Sequence, residues 1–480
     1  MPRHALAATA AALATVVALS VLFTAGERVT AGEEDGAPGP DAQSPASQGP
    51  ESRGPFAPSS LRTASGGVAD ADWYYEAEVC GECHATQYAD WKGSLHSRAH
   101  DDALYLAFAE RARAEGGDEL YRFCSSCHAP GAVATGEIPG GEGTEHTFLT
   151  HEGVTCDVCH SVSQVVTRHA GGGANASIVL EEGEVRFGPR ADPARTPAHE
   201  SAYSRTHTES RLCSACHSLT HPHNGVVIEN TFEEWSRSPY AAAGIQCQDC
   251  HMRTVAEAVR VAETMAPVVV PGESATGVER PDVHRHLFVG ANVNAELVGA
   301  SERHAAEAEA RLRSAATVTP EGAGDAGADE LRLAVAVTNV AAGHSIPTSI
   351  TELRQVWLDV RVTDADGSEL YRSGRLEESG AIQPGAVVYT TTLHDAEGQV
   401  TYLPWKAVRI AHENLLHAKE TRRETYVVPL PGGVRGPLAA RAVLRYRSAP
   451  QEVLDELFGK GRLVVRNVDM AEAEAVVTLD

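Results

Sequence analysis

After residue 26 the chain offers no apolar run approaching the length needed to cross a bilayer, so only its first segment is expected to meet a membrane. Basic charge is also in short supply. Lys and Arg total 40 against 65 Asp and Glu, a formal net charge of -25, which is the wrong sign for a nucleic-acid partner. No cysteine precedes Cys80, which excludes a lipidated cysteine near the start. Methionine is nearly missing: after Met1 only Met252, Met265 and Met470 remain.

The ten cysteines that are present all fall in one pattern, Cys-x-x-Cys-His, written five times: Cys80, Cys83 and His84; Cys124, Cys127 and His128; Cys156, Cys159 and His160; Cys213, Cys216 and His217; Cys247, Cys250 and His251. Two thiols at this spacing reach the two vinyl groups of one porphyrin, and the histidine that follows takes the iron from one side. Paired CxxC units also build zinc sites, and an exported chain can use cysteines in disulfides. Histidine decides between them. It makes up 22 of 480 residues, so its presence after all five pairs by chance is on the order of one in several million. The expected cofactors are five covalently attached c-type haems with their iron.

Residues 1–26 read as a signal peptide or N-terminal anchor: Arg3 near the start, an apolar and small-residue run from Leu6 to Phe23, then Thr24, Ala25 and Gly26. The chain is therefore expected to be exported to the periplasm or the cell exterior, free or tethered at one end. Residues 27–72, rich in Gly, Pro, Ser and Ala, read as a disordered linker. The five motifs follow between Cys80 and His251, too dense for an ordinary polypeptide core. A multihaem cytochrome c domain of short helices and loops wrapped around haems is expected over 73–315, with Ala103 to Ala114 as the best helix.

Past a soft linker at Glu321 to Asp329, alternating patterns predict an all-β, sandwich-like domain over 325–480. Its strands begin at Leu331 to Val337 and continue with Leu358 to Val362, a turn at Asp366-Gly367 and a return at Glu369 to Arg372. Further strands are expected at Ala386 to Leu393, Thr425 to Leu430, Arg441 to Tyr446 and Ala473 to Leu479, with one helix near Gln451 to Leu457.

The sixth position on each iron needs a second ligand. With methionine scarce and histidine in excess of the remaining positions, bis-histidine ligation is expected for most haems, which holds potentials lower than a methionine ligand would.

Four segments carry a resemblance. They are Trp91, Ser94 and His96 in WKGSLH; Glu152 to His160; Glu234-Trp235 through Ser238-Pro239-Tyr240 to Met252; and Gly343-His344-Ser-Ile-Pro347-Thr348. The region 73–350 resembles multihaem c-type cytochromes related to the cytochrome c-554 family, a group spanning electron shuttles, extracellular conduits and oxidoreductases. The resemblance implies His96 as a distal ligand, with His100 as the substitute, and it favours His344 as a ligand projected from a strand-end loop of the β-domain. Position relative to the motifs adds His207, with His199 as competitor, and His151; apolar flanks add His286. His221 and His223 are also candidates. His169, His304, His394, His412 and His417 read as surface residues.

The favoured function is electron transfer along closely packed haems between a redox protein donor and acceptor, the partner presenting a basic patch to this acidic chain. Self-assembly into a conduit and docking on an outer-membrane partner are subcases. The alternative is an oxidoreductase acting on a small nitrogen or sulfur compound at one open-coordinate haem. No CxxCK variant occurs to mark such a site, so the sequence favours the carrier over the catalyst. No residue is singled out as catalytic.

Overall fold

In the computed structural model, residues 54–479 are described except 142, 167–174, 296–298 and 324–327. The leader 1–26, the first half of the expected linker and His169 lie outside the described residues.

From Cys80 to His251 the helices are short because the chain turns to present one motif after another. The exception is Ala103–His128, which ends on the second motif. Its N-cap Asp102 accepts from the Tyr105 amide at 2.9 Å. The sequence predicts a stop near Ala114, before the Gly116-Gly117 pair. The chain instead passes through Gly117 at positive φ (73°) and resumes as helix, giving a kink.

Strands here are brief: β1 (Arg62–Thr63), β2 (Val162–Val165), β3 (Ile178–Leu180), β4 (Val185–Gly188), β5 (Glu200–Tyr203), β6 (Leu219–Thr220), β7 (Val227–Glu229), β8 (Gly272–Ala275) and β9 (Val278–Arg280). Strand β1 corrects the expected linker. It pairs in parallel with β3, Arg62 opposite Val179, and Phe56 and Leu61 are buried against Val162, Ile178 and Leu180. Two large apolar side chains with a partner suffice to order residues 54–72, despite the composition around them.

The helix Glu302–Ala315 runs directly into β10 (Ala316–Ala323). This strand corrects the expected soft linker: Glu321 pairs with Ala334 across the hairpin and its carboxylate meets Arg423. Strands β10, β11 (Glu330–Asn339) and β17 (Thr421–Pro429) form an antiparallel sheet of three. A second sheet runs in the order β15 (Val400–Thr401), β14 (Val388–His394), β12 (Gln355–Thr363), β18 (Leu438–Arg447), β19 (Val468–Val477); β13 (Glu369–Ser373) adds to β12 and β16 (Arg409–Asn414) to β14.

Alternation explains the packing of these sheets. Val356, Leu358, Val360 and Val362 of β12 are buried on one face and share a core with Val335, Val337, Tyr426 and Leu444. On the other face of β12, buried Asp359 is held by Arg372 at 2.6 Å and Arg445 at 3.1 Å. The helix Gln451–Phe458 closes this region. Among the described residues no helix is long and apolar enough to cross a membrane.

Candidate haem centres

In each motif a single helical turn positions the ligands. The His84 amide donates to the Cys80 carbonyl at 2.9 Å, and His217 to Cys213 and His251 to Cys247 at the same distance. A bond of this i to i+4 kind places positions i, i+3 and i+4 on one face. Two thiols and one imidazole therefore project together.

A second hydrogen bond aims the imidazole. Nδ1 of His84 lies 2.7 Å from the Ser274 carbonyl, His128 Nδ1 2.6 Å from Ala99, His160 Nδ1 2.6 Å from Phe187 and His251 Nδ1 2.8 Å from Val289. A carbonyl only accepts, so Nδ1 carries the hydrogen and Nε2 keeps its lone pair for a metal. Burial works in the same direction, holding His128 down at about 4 and His251 at about 3. Both rings are neutral at ordinary pH, as ligation requires.

Across from four of these imidazoles stands another. His84 faces His199 with ring centroids 6.4 Å apart, His160 faces His286 at 6.4 Å, His217 faces His96 at 6.5 Å and His251 faces His344 at 6.2 Å. Two imidazoles on one metal, each bonded at about 2 Å through a nitrogen about 1.15 Å from its ring centre, have centroids about 6.3 Å apart. The four separations match that sandwich. Around His128 the arrangement differs: Tyr105 stacks on its ring at 3.8 Å, and among the described residues no imidazole faces it at this spacing.

All five motifs line one continuous cavity of about 1510 Å³, well beyond the roughly 300–1,000 Å³ of a single small-molecule site. His96, His199, His207, His221, His286 and His344 line it too. Neighbouring motifs approach through their thiols: Cys80 is within hydrogen-bond reach of Cys156, Cys127 of Cys216 and Cys213 of Cys247.

The zinc and disulfide alternatives find no support in this geometry. The ten cysteines are free, and among the described residues no three His, Cys, Asp or Glu side chains converge as a metal site. Burial pushes the Cys124 and Cys159 thiols up to about 12, away from the thiolate form zinc selects. The paired thiols, the anchored imidazoles and the shared cavity fit haem.

Two expected distal positions differ from the four above. His151 ends the short helix Phe148–His151, is largely exposed, lies 3.2 Å from Asp101 and does not line the cavity. His207 is buried, with Nε2 3.1 Å from the Cys159 carbonyl. Its ring also lies 5.7 Å from that of His160 and 16° from parallel, so it shares the neighbourhood of His160 with His286. His199, weighed only against His207, takes the place opposite His84. His100 is bound to the Tyr121 hydroxyl at 3.2 Å, away from the cavity. His304, read as a surface residue, is buried with Nδ1 2.7 Å from Ser301 Oγ.

Paired thiols with an anchored imidazole, repeated along one cavity beside a β-rich C-terminal region, are a donor set for covalently bound c-type haem iron. The family model described as cytochrome c554 and c-prime matches residues 79–161, a stretch holding the first three motifs. The crystal structure of a penta-heme cytochrome c552 from Thermochromatium tepidum shares the fold, with a TM-score of 0.59 and 20% identity over 84% of this chain and 98% of that chain. No curated protein matches the chain.

Proposed function

We propose that the chain is an exported pentahaem carrier, moving electrons between redox partners through haems that are mostly bis-histidine ligated. The four imidazole pairs at 6.2–6.5 Å carry this reading. The axial sets are His84 with His199, His160 with His286, His217 with His96, and His251 with His344. Bound haem supplies the redox-active iron; the chain supplies attachment, ligation and spacing.

Thiol contacts give the layout. The first motif abuts the third, the second the fourth, and the fourth the fifth. These contacts join the first motif to the third and set the fourth between the second and the fifth. Export rests on the leader 1–26, cleaved or kept as a tether, and the net charge of -25 suits partners with a basic docking patch.

Intact-protein mass spectrometry tests the count. The mature chain should weigh five haems more than its polypeptide after denaturation, because thioethers survive unfolding; a lower number removes the reading. One observation favours the oxidoreductase alternative, the absence of a facing imidazole at His128 with Tyr105 stacked against it. It requires a vacant iron position there.

A further inference from the structure

The hairpin of β6 and β7 approaches the second motif. Its flanking side chains Leu219 and Ile228 pack with Leu120, Phe123 and Cys124, the end of the helix that carries this motif. His221 lies in the hairpin loop, its ring 6.0 Å from Phe123 at a steep angle.

His221 is only 4% exposed, lines the cavity, and has a buried Nε2 with no hydrogen-bond partner. A buried polar nitrogen left unpaired is costly and calls for a partner. Of the other cavity-lining imidazoles outside the motifs, His96, His199, His286 and His344 face motif rings, His207 lies against His160 and the Cys159 carbonyl, and His284 lies 3.9 Å from both Asp249 and Asp282. Neighbouring His223 is exposed and outside the cavity. The His223 amide donates to His221 Nδ1 at 3.4 Å, at the limit of a hydrogen bond; ligation through Nε2 moves the hydrogen to Nδ1, so this weak contact is given up when iron binds.

We infer that His221 is the sixth ligand of the haem attached at Cys124 and Cys127, opposite His128, so that the fifth haem is closed like the other four. The inference rests on the pentahaem reading above.

The β-rich region braces this loop. Asn224 Nδ2 donates to the Pro404 carbonyl at 2.9 Å, Val226 packs with Leu393 and Ala407, and Trp405 joins the cluster at Cys124. Asn224 and Trp405 are positioning residues: loosening them should free His221 from iron without removing haem.

The test is low-temperature EPR and carbon monoxide titration of the holoprotein and its variants. Wild type should be fully low-spin and bind no carbon monoxide. His221→Ala should keep its covalent haems, gain one high-spin haem and bind one equivalent of carbon monoxide, while His223→Ala stays as wild type. His221→Gly with added imidazole should return to low spin, which separates ligation from misfolding. Trp405→Ala should show a partial high-spin fraction. A wild-type high-spin haem unchanged in His221→Ala overturns the inference and leaves the other four pairs standing. So does a high-spin haem opened by His223→Ala instead. A haem count below five overturns the underlying reading itself.

Discussion

At the residue scale, the proximal side was legible because one helical turn encodes it: two thiols and the next imidazole are fixed by covalent spacing. The distal side was not, because each facing ring arrives from a remote part of the chain, as His96 does for His217 and His344 for His251. Proximity in sequence misled for His151, which ends a short helix at the surface. His344→Ala should leave all covalent haem in place, convert one haem to high spin and create one new carbon monoxide site; an unchanged spectrum removes His344 from the axial set. A second residue carries a pH dependence. Burial lifts the Glu352 carboxyl to about 8, with one oxygen unpartnered. The folded chain therefore holds a proton that the unfolded chain releases above its ordinary value of 4.5. Stability should fall as pH rises between these values and level off beyond. Glu352→Gln should flatten the melting temperature over that window, measured by thermal unfolding of the holoprotein; an equal slope in both proteins contradicts the assignment.

At the element scale, strands with one buried face were readable from alternation, as in β11, β12 and β18. Strand β10 was not. It carries Pro320 and Gly322, which an edge strand tolerates because one side of its ladder is unpaired. Strand β16 has no apolar face to betray it, its residues being mostly exposed. The helix Ala103–His128 extended past its expected end because Gly117 absorbs the positive-φ turn. A Cβ there would meet no atom within 4 Å, so the penalty of Gly117→Ala is conformational alone. With ψ at -172° the residue sits in an extended positive-φ region open essentially to glycine alone, so the substitution should cost about 1–3 kcal/mol, read as a lowered denaturation midpoint with haem content intact; a neutral effect would mean the kink is not held at Gly117.

At the whole-molecule scale, the larger apolar cluster lies in the β-rich region, and the motif region sets a smaller one, around Leu149, Val162 and Leu180, beside its cavity. Besides ties such as Glu234 accepting from the Ser345 amide and the Thr348 hydroxyl, the β-rich region reaches toward the motifs through two loops. His344 stands opposite His251, and Asn224 and Trp405 contacts brace the His221 loop. Ligation at His344 would add an iron-mediated tie between the two regions, so His344→Ala should also lower the unfolding temperature of the holoprotein. Composition had announced neither contact, since both depend on loops whose partners lie far along the chain.

The central claim is that this chain holds five covalent haems, each iron between two imidazoles. Low-temperature EPR of the oxidised holoprotein, with spins counted against haem content, tests it most directly. The account predicts five low-spin irons per chain and no high-spin signal. Two or more high-spin irons, or any iron bound by methionine, would contradict it.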